Sequence, residues 1–445
     1  MDGVERAFND IDPEDIESLT TLKDASATAV YGVRGANGVI IIKTKPGKIG
    51  KPTISADYYE SFTRFTKMVD LTDGVSYMKA ANEALRNDGL ATKFTDSQIQ
   101  NTILGKDQYL YPNVDWLNEI FNDWGHNRRV NVNVRGGSEK VSYYASVSYF
   151  NETGMTVTDK SINTFDSKMK YSRYNFTTNL SIDVTPTTKV EIGAQGYLGE
   201  GNYPAISSKD LYNAAMSISP VEYPKMFFVN GEAYIPGRST NNNFNNPYSQ
   251  ATRRGYDNLT KNQIYSNLRI TQDLDMLTKG LKLTAMYAFD VYNEIHVHQD
   301  RAESTYYFLD TNVPYDLDGQ PILQRIYTGT NVLSYKQETS GNKKTYLEAS
   351  LNYDRAFGDH RVSGLFLFNQ QQKLLYPKGT LEDAIPYRMM GIAGRATYSW
   401  KDRYFAEFNI GYNGAENFSP KNRYGTFPAS VSYTHLRAHE TRRHL

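Results

Sequence analysis

Apolar and polar residues alternate with a period of two along most of the chain from residue 129 onwards. In the segment 141–149 one side is taken by Val141, Tyr143, Ala145, Val147 and Tyr149, and the other by Ser142, Tyr144, Ser146 and Ser148. Because successive side chains of a β-strand point to opposite faces, this pattern predicts strands with one apolar and one largely polar face. The same period recurs in segments 53–58, 129–135, 174–182, 190–198, 264–270, 281–291, 346–353, 362–368, 392–400 and 404–412.

Two kinds of connection separate the predicted strands. Short turns lie at 185–187, 358–359 and 401–403, whereas long polar loops occupy about 199–259 and 299–342. Short turns at one end of a sheet and long loops at the other are typical of outer-membrane β-barrels. Plugged transporter barrels have about 22 strands, so the roughly eleven predicted strands amount to half of one.

The segment 70–123 departs from the strand pattern. Its apolar residues follow a helical period, with one stripe formed by Leu71, Val75, Met78, Ala81 and Leu85. We therefore expect a helical insertion between the first strands. No run of 18 apolar residues occurs in the chain, which excludes a transmembrane helix but leaves barrel strands open.

A compact unit of small residues precedes the strands. Asp24 is a good N-cap for a short helix over 25–31, and Gly32 is placed to end that helix in the left-handed conformation. Asn37 and Gly38 then predict a tight turn into a buried strand over 39–44. The spacing of Gly32, Gly35 and Gly38 could suggest a phosphate-binding loop, but it follows a helix and lacks the P-loop Lys-Ser/Thr.

The run 22–40, LKDASATAVYGVRGANGVI, resembles the C-terminal part of the plug domain of SusC/RagA-type TonB-dependent outer-membrane transporters. It departs from the family pattern mainly at Val30 and at Val33, where the family often has Ser. Segments 135–149 and 398–428 also resemble the family. The resemblance implies a membrane β-protein: a partial plugged antiparallel barrel, about half of a 22-stranded one, with a small α+β plug fragment.

The resemblance also implies a domain division. We expect the C-terminal part of the plug over 1–47 and the N-terminal part of the barrel over 48–430. A leader, an accessory domain, the TonB-contacting segment and the first half of the plug would then precede residue 1. The segment 431–445 carries three His and three Arg without a strand period, so we interpret it as a non-native read-through tail.

Composition narrows the classes of function. Lys plus Arg and Asp plus Glu number 49 each, which gives no electrostatic argument for nucleic acid. The chain has no cysteine, so neither a disulfide nor a thiolate metal site can form. Its 35 tyrosines suit surfaces that are wet on one side and apolar on the other.

No catalytic, cofactor or metal site is expected, and the chain is not predicted to be an enzyme, because no nucleophile elbow or carboxylate pair stands out. His296 and His298 share a strand face with Glu294, with Asp300 two residues beyond, which is a possible metal set. We favour a structural or ligand-contacting role for these histidines. Residues 316–319 have Ca-loop character without the downstream Glu, so a plain turn is expected.

By resemblance, the intact protein imports a bulky nutrient across the bacterial outer membrane, a glycan or alternatively a peptide. A SusD-like lipoprotein and the TonB–ExbB–ExbD complex would be its partners. The plug motif comprises Asp24, Gly32, Arg34, Gly35, Asn37 and Gly38. Within it, Arg34 is expected to form an ion pair with the barrel wall. Possible substrate-contacting residues are Asn242, Asn243, Phe244, Tyr306 and Tyr307. A passive porin or structural barrel, a signalling receptor and a secreted soluble β-rich carbohydrate-binding protein remain alternatives.

Overall fold

A computed structural model describes residues 1–9, 11–23, 35, 37–161, 164–240 and 246–434. Twelve long strands form one antiparallel sheet in which sequence neighbours are also spatial neighbours. The strands are β3 (Gly50–Thr63), β4 (Gly125–Gly137), β5 (Val141–Thr153), β6 (Lys170–Thr185), β7 (Thr188–Pro204), β10 (Gly255–Asp273), β11 (Leu281–Asp300), β14 (Lys336–Phe357), β15 (His360–Tyr376), β16 (Tyr387–Trp400), β17 (Tyr404–Ala415) and β18 (Tyr424–Thr434).

The sheet is open within the described part of the chain: β3 and β18 each pair with a single neighbour. The alternation of apolar and polar residues predicts about eleven strands, and β18 is not among them. This strand pairs with β17 from Tyr424 to Thr434. It therefore runs four residues into the segment 431–445 that the sequence analysis set aside as a tail, and residues 435–445 lie outside the described residues.

The two faces of the sheet differ in polarity as the alternation predicts. On the outer face, apolar side chains are open to the surroundings, and Val147 is 63% and Leu198 52% exposed. On the opposite face, polar side chains such as Asn131, Thr177 and Gln195 are buried. A sheet with an apolar outer face and a polar inner face is typical of the wall of a membrane β-barrel, whereas a water-soluble β-sandwich has the opposite arrangement.

The connections confirm the asymmetry of the two ends. Short turns join β4–β5, β6–β7, β10–β11, β14–β15 and β16–β17, and longer segments join the strands at the other end. The predicted loops 199–259 and 299–342 were too long, because β7 continues to Pro204, β10 begins at Gly255 and β14 begins at Lys336. These strand ends are polar on both faces, so the alternation that marks the rest of the strands is absent there.

The long-loop end carries a folded unit, which we call the loop domain. It contains helices α1 (Gly74–Asn87), α2 (Asp96–Ile103), α3 (Trp116–Ile120), α4 (Ser208–Ser217) and α5 (Pro247–Thr252). A small sheet joins β8 (Phe227–Val229), β9 (Glu232–Pro236), β12 (Thr305–Phe308) and β13 (Leu323–Tyr327). Its buried core comprises Trp116, Leu117, Ile120, Phe121, Ile206, Leu211, Ala215, Tyr223, Met226, Ile235, Tyr248 and Ala251.

The N-terminal segment forms a hairpin that is separate from the large sheet. Strands β1 (Ile16–Leu22) and β2 (Val39–Thr44) pair antiparallel, preceded by a 3-10 turn over Pro13–Asp15. The strand 39–44 was expected to be buried, but only Ile42 and Thr44 are, while Ile40 is exposed. Among the described residues, no helix combines the length and apolar character needed to cross a bilayer.

Candidate functional site

The turn into β2 lies where the plug motif predicts it. Gly38 donates its N–H to the carbonyl of Gly35 at 3.0 Å and has φ +89°. A Cβ on Gly38 would stand 3.0 Å from the carbonyl oxygen of Leu22. Asn37 is exposed beside it, whereas Asp24, Gly32 and Arg34 lie outside the described residues.

We expect the double substitution Gly35→Val with Gly38→Val to abolish uptake by the full receptor while its barrel still assembles. Valine at φ +89° costs about 1–3 kcal/mol in backbone strain, and Gly35 is buried. Uptake assays and outer-membrane fractionation measure the two effects. Gly364→Val is the control, since a Cβ there meets only one carbonyl oxygen at 3.9 Å. Normal import by the double variant would refute this account of the turn.

An ion pair anchors the first residues to the polar face of the sheet. Arg6 donates from Nη2 to Asp290 Oδ1 at 2.6 Å, and its Nε contacts both carboxylate oxygens at 3.1 Å. Nη2 also donates to the carbonyl of Ser266 at 2.9 Å, and the guanidinium lies 5.0 Å from the ring centre of Tyr265. The side chains of Arg6 and Asp290 are 1% and 5% exposed, so the pair is withdrawn from water.

Asp15 makes a second buried contact. Its two carboxylate oxygens accept from the hydroxyls of Tyr144 and Thr177, each at 2.7 Å. The 3-10 turn holds Asp15 in place, because its N–H donates to the carbonyl of Asp12 and its own carbonyl accepts from Lys45. Tyr144 belongs to β5 and Thr177 to β6, so one carboxylate bridges two strands of the wall.

A third polar group joins the hairpin to the wall. The Asp2 carboxylate accepts from the N–H and hydroxyl of Thr44, and from Gln195 Nε2 at 2.9 Å. Asn179 Nδ2 donates to the hydroxyl of Thr44 and to the carbonyl of Lys45, both at 2.8 Å. Together with the two preceding contacts, this binds the N-terminal segment and the hairpin to the wall by hydrogen bonds and charge. One apolar contact adds to them, in which Val4 is buried against Met286, Ala288 and Tyr346.

These anchors were not predicted from the sequence, where Arg34 was expected to pair with the barrel wall instead. Arg6, Asp15 and Asp2 are ordinary charged residues in the sequence, and their partners in the wall lie more than 100 residues away in the chain. The feature of the sequence that indicated such contacts is the polar face of the strands, because buried polar side chains need hydrogen-bond partners. Next to this interface, a cavity of about 460 Å³ is lined by Lys45, Lys48, Lys51, Arg135 and Tyr144 among others.

The loop domain holds both described members of the proposed substrate set. Tyr307 packs against the domain core, accepts a hydrogen bond from Arg238, and has the guanidinium 4.2 Å from its ring centre. Tyr306 meets Tyr234 edge to face at 4.9 Å and lines a cavity of about 430 Å³. The other members, Asn242, Asn243 and Phe244, fall in the part of the chain that is not described.

Hydrogen bonds between separate loops stabilise this domain. Tyr248 donates to Asp159 at 2.7 Å, and Tyr315 donates to Asp107. Burial and these bonds raise the pKa of Tyr248 and of Tyr315, so both phenols stay neutral. Burial opposes ionisation of Asp159, but hydrogen bonds from Ser161 and Tyr248 outweigh it and lower the pKa of that carboxyl. The Asp159 carboxylate therefore stays ionised at neutral pH and ties its loop to the loop of Tyr248.

Two other motifs have defined places. Asp316 and Gly319 form a tight turn in which the Asp316 carboxylate accepts from the N–H groups of Asp318 and Gln320, as a plain turn predicts. His296 and His298 lie on β11 near the loop end. Asp257 of β10 joins them, whereas Asp300 pairs with Arg254 instead.

The fold and the site define a class: an open, polar-lined wall of antiparallel strands with a small hairpin held against its inner face is the architecture of a plugged outer-membrane barrel. No protein-family model matches the chain. The chain is 24% identical to TonB-dependent receptor P3 of Formosa agariphila over 94% of its own length and 39% of that protein. It is 26% identical to TonB-dependent receptor SusC of Bacteroides thetaiotaomicron over 96% of its length and 41% of that protein.

The fold comparison agrees with the sequence comparison. The structure of the RagAB peptide transporter matches 95% of this chain and 49% of that chain, with a TM-score of 0.69 and 19% identity. The chain is thus similar to the SusC/RagA family of TonB-dependent receptors, and both the resemblance and the plugged-barrel fold class are confirmed. It spans about 40% of the length of the curated relatives. These relatives are named receptors and not enzymes, in agreement with the expectation that the chain is not an enzyme.

Proposed function

We propose that the receptor containing this chain imports a bulky nutrient across the bacterial outer membrane in a TonB-dependent manner. The observation that carries the proposal is the way the hairpin binds the wall. One buried ion pair and several hydrogen bonds hold the hairpin and the residues before it in a defined position, yet a polar interface can be rehydrated when the plug is displaced. An interface made of apolar packing alone would not offer that path.

We also propose a SusD-like lipoprotein as a partner above the loop end, with the TonB–ExbB–ExbD complex acting from the periplasmic side. The loop domain supports the first partner, because its buried core is formed by segments from two separate loops and offers a folded surface. The relatives named SusC and RagAB support the same assignment.

For the cargo we propose a glycan. The 430 Å³ cavity brings Tyr234 and Tyr306 together with Glu232, Arg325 and Asn331, which suits a sugar through ring contacts and hydrogen bonds. A peptide is the second candidate, because a neighbouring cavity of about 730 Å³ is lined by both carboxylates and guanidinium groups, including Asp210, Glu222, Arg238 and Arg254.

Uptake in cells that carry the full receptor tests the energy requirement. We expect import of a labelled oligosaccharide pool to stop when an uncoupler collapses the proton gradient. Binding to the cell surface should continue, since binding precedes the energised step. Import that persists without the gradient would favour a passive porin and overturn the proposal.

The cargo is tested by incubating the purified receptor with mixed oligosaccharides or mixed peptides and identifying the retained molecules by mass spectrometry. We expect oligosaccharides to be retained, and Tyr306→Ala to lower their retention about tenfold through the loss of a ring contact worth about 1.4 kcal/mol. Tyr335→Ala, at an exposed loop residue outside the cavity, is the matched control. Retention of peptides alone would replace the glycan assignment.

A further inference from the structure

Three potential metal ligands meet on the inner face of the sheet near its loop end. Asp257 of β10 lies opposite His298 of β11. His296 lies two residues before His298, on the same face of β11. Asp257 Oδ1 is 3.7 Å from His296 Nδ1, and Asp257 Oδ2 is 3.3 Å from His298 Nδ1. One ligand atom from each residue lies within 4.8 Å of the others.

These separations fit a single small cation. Zinc bonds to nitrogen and oxygen at about 2.0–2.1 Å in tetrahedral geometry, which places two ligand atoms about 3.3–3.4 Å apart. The carboxylate–imidazole distances of 3.3 and 3.7 Å need only small side-chain movements to reach this value. Two imidazoles and one carboxylate form a ligand set that zinc prefers over calcium or magnesium.

The surrounding groups also suit a metal site. His296 Nε2 lies 2.7 Å from Glu294 Oε1, and His298 Nε2 lies 3.9 Å from Glu338 Oε2. A carboxylate on the remote imidazole nitrogen orients a histidine for metal binding through the other nitrogen. Among the described residues, Asp257 Oδ1 is buried and has no hydrogen-bond partner, which is costly for a carboxylate oxygen unless a cation binds it.

We propose that Asp257, His296 and His298 bind one zinc ion, with Glu294 and Glu338 positioning the two imidazoles. Three protein ligands leave a fourth coordination position for water or a group of the cargo. The ion would also link β10 to β11 where both strands rise into the loops. The single-strand set that the sequence offered joined Glu294 and Asp300 to the two histidines and lacked Asp257, because register between strands cannot be seen in a sequence.

The test is zinc titration by calorimetry on the full, untagged receptor after treatment with a chelator. We expect the number of bound ions to fall by one in His298→Ala and in His296→Ala, and Glu294→Gln to weaken binding about 10–100-fold. His126→Ala is the matched control, because His126 contacts the carboxylate of Glu60 and belongs to no such cluster within the part of the chain that the structure describes. Its zinc binding should equal that of the unmodified receptor.

X-ray absorption at the zinc edge of the unmodified receptor gives a second measurement that does not depend on any variant folding. Two imidazole nitrogens and at least one oxygen around zinc are expected. The proposal is overturned if the receptor binds no zinc, if the spectrum contains no imidazole, or if the His296 and His298 variants keep the full number of bound ions.

Discussion

Replacing Asp290 with alanine is expected to detach the plug segment from the barrel wall. The substitution leaves the Arg6 guanidinium buried without its carboxylate, and removing one partner of a buried ion pair costs about 3–5 kcal/mol. Arg6 also contacts Ser266 and Tyr265. We therefore expect residues 1–9 to lose their contacts with the wall, while the sheet stays folded. Hydrogen exchange of the N-terminal segment and leakage of large antibiotics into cells measure the effect.

A second substitution separates the charge effect from the loss of packing. In the variant Asp290→Ala with Arg6→Ala no unpaired charge remains, so part of the protection should return. Arg361→Ala serves as the control, since its ion pair with Asp354 is exposed and should contribute nothing measurable. If Asp290→Ala protects residues 1–9 from exchange as well as the unmodified receptor does, the pair is not an anchor.

Placing a charge at the outer face of β5 should prevent stable insertion of the receptor. Val147 lies in the middle of β5, between Val132 of β4 and Phe176 of β6. Arginine on the lipid face near the bilayer midplane costs about 2–4 kcal/mol. We expect Val147→Arg to lower the urea midpoint of unfolding in lipid vesicles and the amount of receptor in the outer-membrane fraction.

The same substitution away from the sheet is the control. Leu317 is fully exposed in the loop 301–335, so Leu317→Arg changes neither lipid contact nor packing. Equal stability of the two variants in lipid would mean that the outer face does not contact hydrocarbon. That result would favour the alternative of a secreted soluble β-protein.

The strands could be predicted well where the two faces differ in environment and poorly elsewhere. Residues 141–149 alternate because one side meets apolar surroundings and the other meets the polar interior, and β5 covers them. At the loop end, strands such as β14 begin with KQETSGNKK, which is polar on both sides. Nothing in such a stretch distinguishes a strand from a loop, so its extent was underestimated.

The candidate site divides in a similar way. The tight turn at Gly38 could be predicted because the requirement for positive φ is local and glycine satisfies it. The anchors Arg6–Asp290 and Asp15–Tyr144 could not, because each joins residues more than 100 positions apart. The share of Arg34 in holding the plug stays a prediction, since Arg34 lies outside the described residues.

By itself, the sequence determined the period of the strands, the polarity of their two faces and the motif that resembles a plug. These properties depend on residues close together in the chain, where backbone geometry relates position to direction. The tertiary structure alone decided which polar residues of the wall bind the hairpin and which strand supplies Asp257 to the two histidines. Strand register and the contact of the hairpin with the wall depend on segments that are far apart in the chain and close in space. The sequence pattern does not show which of these segments meet.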